Sequence, residues 1–126
     1  MYHGWKDQNI SPLNSVAYYN DVVNTQGGGL STYKEALTKT QRFARLFMVP
    51  GMQHCNGGPG SNTFDTLTAI ENWVEKGIAP DKIIATHSTA GVVDISRPLC
   101  PYPQAAKWAG NGRATDDRFF SCVEPQ

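Results

Sequence analysis

The 126-residue chain has no excess of charge of either sign: eleven Lys and Arg balance eleven Asp and Glu. It has no basic stripe and no arginine cluster, which argues against nucleic acid as its main partner. No apolar run approaches the roughly 18 residues of a membrane helix, so no membrane association is expected. No basic-then-apolar leader follows Met1. Tyr2, His3, Gly4 and Trp5 read instead as the end of a strand, as if the chain began mid-fold. Three histidines and three cysteines, at spacings such as 33 and 45, form no zinc pattern, and no metal is expected. Gly57-Gly58-Pro59-Gly60 is not followed by the Lys and Ser or Thr of a phosphate loop, and no cofactor is expected. Cysteine is scarce and odd in number. Of Cys55, Cys100 and Cys122, at least one lacks an internal disulfide partner.

With 40% apolar residues, the chain is long enough for one small domain with a modest core. Ser11-Pro12 reads as a helix start, a hydroxyl cap followed by proline at the first helical position. Leu13, Val16, Ala17, Val22 and Val23 give that helix an apolar face to about Asn24, and Gly27 to Gly29 end it. Ser31 to Arg42 is polar with a helical spacing at Tyr33 and Leu37. Ala44 to Val49 reads as a buried strand, because Leu46, Phe47, Met48 and Val49 are consecutive apolar residues. Pro50-Gly51 stops it and opens a glycine-rich loop to residue 63. Thr63 or Asp65 caps a further helix with Leu67, Ile70, Trp73 and Val74 on one face and Gly77 at its end. Ile83 to Ala85 and Gly91 to Ile95 are short strand candidates. The order indicates part of a βαβα sheet over residues 1–96, followed by an irregular Pro- and Gly-rich tail over 97–126.

The segment Arg45 to Gly60 carries the chemical signal. An apolar strand ends at Pro-Gly and delivers His54 and Cys55 onto a loop, where general bases are commonly mounted. Asp7 lies between the presumed strand end at Tyr2-His3 and the helix at Pro12. Functional groups of an open α/β sheet gather outside the carboxyl ends of its strands, so neighbouring parallel strands bring Asp7 and His54 to one edge. A carboxylate accepting from the imidazole fixes its tautomer and stabilises the imidazolium. The competing reading makes Asp7 a turn residue and His54 a loop histidine bonded to backbone. His3 reads as structural, and His87 as bonded locally. Spacing leaves two readings of Cys100 and Cys122: a staple for a tail poor in core residues, formed in an oxidising compartment, or two of three free thiols.

Tyr2-His3-Gly4-Trp5-Lys6-Asp7-Gln8-Asn9-Ile10, Tyr18-Tyr19, Phe47 to Gly60, Ala69 to Gly77, Arg97 to Pro103 and the late Cys122 together resemble the tannase and feruloyl esterase family over nearly the whole chain. The resemblance implies the C-terminal part of an α/β-hydrolase fold: an incomplete sheet, flanking helices and a disulfide-stapled tail, with residues 1–126 a segment of a catalytic domain. It implies a secreted serine-triad esterase acting on small aromatic esters of phenolic acids, with Asp7 and His54 as two triad members. It also implies a Cys100–Cys122 disulfide, and for Cys55 a partner next to the nucleophilic serine, upstream of this chain.

The departure from the family is large. No Gly-x-Ser-x-Gly turn surrounds Ser11, Ser15, Ser31, Ser61, Ser88, Ser96 or Ser121, and the oxyanion loop and substrate lid are missing as well. Lys6 replaces a small residue, which adds a charge expected to favour ionised Asp7. The isolated chain is therefore expected to be nearly inert. Two other readings remain: a non-catalytic module that associates with a second copy or with the missing N-terminal portion, and a Cys55 nucleophile activated by His54 or His87.

Overall fold

Two short parallel strands organise the structure, a computed structural model that describes residues 1–29 and 32–125. Strand β1 (Tyr2–Gly4) pairs with β2 (Phe47–Val49) in the register Tyr2 to Phe47, His3 to Met48 and Gly4 to Val49. Parallel strands cannot be joined by a tight turn, so the chain crosses between them through α1 (Pro12–Gly27) and α2 (Tyr33–Thr40). Helix α1 starts with Pro12 as expected, but the Ser11 side chain makes no capping bond. Gly28 ends α1 in the left-handed conformation. The expected second helix began at Ser31, which lies outside the described residues. The helix itself opens on a capping box, in which Thr32 Oγ1 accepts from the Glu35 N–H and the Glu35 carboxylate accepts from the Thr32 N–H.

Strand β2 is buried on both faces, in keeping with its unbroken apolar run. Side chains alternate across a strand. Leu46 and Met48 face a cluster of Tyr19, Val23, Ala36 and Leu37 from the helices. Phe47 and Val49 face Met52, Ala85 and Leu99 on the other side. The apolar face expected on α1 is only partly right: Val23 is fully buried, whereas Leu13 is 63% exposed. Tyr19 is the bulkiest of the fully buried side chains and donates its hydroxyl to the Ala44 carbonyl at 3.1 Å.

After β2 the chain departs from the expected continuous βαβα sheet. Strands β3 (Thr63–Phe64), β4 (Ile83–Thr89) and β5 (Val92–Leu99) form a separate antiparallel sheet in the order β3-β4-β5. Both strand candidates lie where expected and run longer than expected. They belong to one hairpin whose two central residues, Ala90 and Gly91, have φ of 50° and 79°. That is a type I′ turn, and Ala-Gly lacks the Asn-Gly or Asp-Gly signature that announces one. Helix α3 (Thr66–Lys76) is capped by Asp65, which accepts from the Thr68 N–H. Its expected core face is not a core: Leu67, Ile70 and Val74 are all exposed, and no residue of α3 is buried. Arg45 anchors the helix by lying over the Trp73 ring and bonding the Pro80 carbonyl and Asp81.

The tail is more regular than its composition suggested. Strands β6 (Ala105–Trp108) and β7 (Phe120–Val123) pair antiparallel, with a 3-10 turn (Asp117–Phe119) leading into β7. Ser96 and Asp117 exchange two hydrogen bonds of 2.7 and 2.9 Å that tie this hairpin to β5. Cys100 and Cys122 form a disulfide with Cα atoms 5.5 Å apart. Closing a loop of this size stabilises the fold by about 3 kcal/mol in the chain-entropy picture. Cys122→Ser is accordingly expected to lower the unfolding free energy by about that amount, read as a shift of the urea midpoint.

Candidate active site

The backbone brings two loops together before any side chain does. Beyond β1, the Trp5 N–H donates to the Val49 carbonyl and the Lys6 N–H to the Met52 carbonyl, both at 2.9 Å. The segment leading to Asp7 is thus sewn to the segment leading to His54. The approach is so close that a Cβ on Gly4 would overlap the Met52 carbonyl oxygen and lie 2.6 Å from that of Gln53. The His54 loop folds back on itself through Gln53 N–H to the Gly57 carbonyl and Asn56 N–H to the His54 carbonyl.

Asp7 and His54 meet, with His54 Nδ1 2.8 Å from Asp7 Oδ2. The Asp7 side chain is 4% exposed and the His54 ring 38%. Asp7 Oδ1 accepts the backbone N–H groups of Asn9 and Ile10 at 2.8 and 2.9 Å. Oδ2 also accepts from His3 Nε2 at 3.0 Å, and His3 Nδ1 lies 2.7 Å from Ser15 Oγ. Loss of water around Asp7 pushes its carboxyl upward. The Ile10 N–H, the His54 ring, the Asn9 N–H and the His3 ring outweigh that and hold it well below the usual carboxylate range. Lys6, expected to contribute here, is exposed and makes no bond to the carboxylate.

An ionised carboxylate only accepts, so the His54 proton sits on Nδ1 and its Nε2 carries a lone pair. Among the described residues nothing bonds to Nε2. This is the geometry of an oriented base facing outward. None of the described serines bonds to His54: Ser15 is taken by His3, Ser96 by Asp117, and the Ser61 hydroxyl is buried without a partner. A cavity of about 530 Å³ opens beside the loop, lined by Trp5, Gly51, Gly60, Ser61, Arg97 and Phe120, and neither His54 nor Asp7 lines it. Cys55 is a free, exposed thiol at a φ of 64°. His87 bonds Asp94 at 2.6 Å on the β4–β5 hairpin, as a local partner. Among the described residues no group of three His, Cys, Asp or Glu could hold a metal ion.

Residues 1–123 match the family described as tannase and feruloyl esterase. The chain belongs to that family. It is 42% identical over 147 residues to an uncharacterized esterase of Xanthomonas campestris pv. campestris, covering 98% of this chain and 25% of that protein. It is 41% identical over 128 residues to the mono(2-hydroxyethyl) terephthalate hydrolase of Piscinibacter sakaiensis, covering 99% of this chain and 19% of the hydrolase. In three dimensions it is similar to an esterase from Aspergillus oryzae, with a TM-score of 0.82 and 35% identity, over 97% of this chain and 26% of the other. This tannase-family chain thus spans about a quarter of the length of the relatives it matches, or less.

Sequence reasoning placed Asp7 and His54 at one sheet edge but left His3 and Ser15 out of the site. The signal was available in part, because His3 is only four residues from Asp7 on a strand that ends between them. Two outcomes are expected. Gly4→Ala should destabilise the fold by about 1–3 kcal/mol, because backbone rather than a flexible side chain must give way; chemical denaturation reads it. A carboxylate whose folded-state pKa is depressed contributes stability above its unfolded value, here 3.8, and loses it as pH falls through the folded value. Asp7→Asn should therefore weaken the chain at neutral pH and lessen the fall in stability between neutral and acid, in thermal melts across that range.

Proposed function

We propose that this chain supplies the acid–base half of a serine esterase. His54 is the general base that takes the nucleophile's proton and then the general acid that returns it to the leaving alcohol. Asp7 holds the ring in the Nδ1–H tautomer and stabilises the imidazolium. The observation that carries the reading is the 2.8 Å His54–Asp7 bond, which leaves Nε2 without a partner among the described residues on a ring 38% exposed. A nucleophilic serine and oxyanion donors contributed by residues outside these 126 are supported by the lack of a Gly-x-Ser-x-Gly turn in the sequence and of any bond from a described serine to His54. The substrates are esters of phenolic or related aromatic acids, a choice supported by the family and by the terephthalate ester named for one relative.

In this reading residues 1–126 are the C-terminal part of an α/β-hydrolase catalytic domain. The uncovered apolar face of α3 and the single-sided pairing of β1 support packing against the remainder of that domain. Cys55 then pairs with a cysteine beside the nucleophile, pinning the histidine loop, and the Cys100–Cys122 bridge is consistent with a secreted enzyme.

The test uses aryl esters of phenolic acids. In a longer enzyme carrying this segment, His54→Ala and Asp7→Asn are each expected to reduce kcat by on the order of 10⁴, with little change in KM. The isolated 126-residue chain is expected to show almost no turnover. Robust hydrolysis by that chain, abolished by His54→Ala, would overturn the assignment of the nucleophile to other residues.

A further inference from the structure

We infer that His3 is a positioning residue for the Asp7–His54 pair and that Ser15 orients His3. The inference rests on the reading of His54 as the base, and it adds two residues from two further elements. Asp7 Oδ2 receives two ring N–H groups, from His54 at 2.8 Å and from His3 at 3.0 Å. Because the carboxylate only accepts, His3 carries its proton on Nε2. Nδ1 of the neutral ring is then a lone pair, and the Ser15 hydroxyl at 2.7 Å donates to it. The hydrogen bonds run in one direction, from Ser15 to His3 to Asp7, and meet the bond from His54 on the same oxygen.

This relay of bonds fixes what a local turn cannot. The Asn9 and Ile10 N–H groups hold Oδ1 but leave the direction of Oδ2 to whatever meets it. His3 meets it from β1, where the pairing of His3 with Met48 sets the backbone that carries the ring. Ser15 meets His3 from α1, so helix, strand and loop all bear on one carboxylate. The His3 side chain is 12% exposed, which protects these bonds from competing water. The ring lies behind Asp7 and does not bond to His54, so it acts through the carboxylate rather than on a substrate. Ser15, His3 and Asp7 also have the connectivity of a triad, but Ser15 lies inside α1 and its hydroxyl is turned to a largely buried ring.

Nitrogen-15 histidine spectra of the 126-residue chain test the assignment without an activity measurement. The expected wild-type pattern is a single Nε2–H tautomer at His3 and a protected Nδ1–H at His54. His3→Ala should make the His54 Nδ1–H exchange with solvent on the order of tenfold faster, the size of losing one charge-assisted bond. His3→Gln, whose amide N–H replaces the Nε2–H, should restore slow exchange. Ser15→Ala should leave the Nε2–H tautomer, which Asp7 fixes, but make the His3 Nε2–H exchange with solvent several-fold faster as the ring loses its second anchor, while the melting temperature stays near wild type. Unchanged His54 exchange in a folded His3→Ala chain overturns the positioning role. If His3→Ala fails to fold, a failure of His3→Gln to keep slow exchange, or an unchanged His3 Nε2–H exchange rate in Ser15→Ala, overturns it instead. Covalent labelling of Ser15 by a fluorophosphonate would make it a nucleophile and also overturn the inference. Retained hydrolysis in a longer His54→Ala enzyme would sink the general-base reading alone, and the ring spectra would still decide the His3 question.

Discussion

The Asp7 carboxylate is the point on which the structure around it depends. It is almost wholly removed from water, and an unpaired carboxylate there would be driven to neutralise. It stays ionised because four N–H groups converge on it from three places in the chain. Two come from the backbone leading into α1, one from β1 and one from the loop after β2. Each donor is held by its own element, so strand pairing, helix placement and the glycine-rich loop must all be right for the carboxylate to be satisfied. The close backbone approach at Gly4 makes that possible, since only a residue without Cβ lets the two loops lie against each other.

The core explains why the loops are so placed. Strand β2 is buried on both faces, with Leu46 and Met48 against the helical cluster and Phe47 and Val49 against the antiparallel sheet. Fixing this strand fixes where the chain leaves it at Pro50, and hence where His54 emerges. Helix α1 contributes Tyr19 and Val23 to the same core and delivers Ser15 toward His3 near its beginning. Packing and site geometry are therefore two consequences of one arrangement of β1, β2 and α1. By contrast, α3 and the β4–β5 hairpin stand apart from the Asp7 cluster, and the apolar side of α3 is open.

Where reading the residues in order failed, the reasons are specific. The β4–β5 hairpin turns through Ala90 at positive φ, a conformation that alanine does not advertise. The tail looked irregular because its prolines and glycines hide two four-residue strands held by a disulfide and by the Ser96–Asp117 bonds. The apolar stripe on α3 is legible in the sequence as a stripe. Periodicity says which side of a helix is apolar, and it says nothing of whether anything within the same 126 residues covers it. His3 reads as structural from the sequence, and its bonds to Asp7 and Ser15 do not show there because those partners lie four and twelve residues away, one across the end of a strand and one on the next helix.

The sequence by itself determined the local grammar: the proline start of α1, the Asp65 cap and Gly77 stop of α3, the doubly buried β2, and the delivery of His54 past Pro50-Gly51. Those follow from propensities and periods that act over a few residues. It also carried the motifs of the tannase and feruloyl esterase family to which the chain belongs. Only the tertiary structure decided which groups share the Asp7 carboxylate, because the parallel register of β1 with β2 and the fold of α1 across them set those distances. Hydrogen bonds act over about 3 Å, and no spacing along a chain fixes which distant side chains arrive within that range.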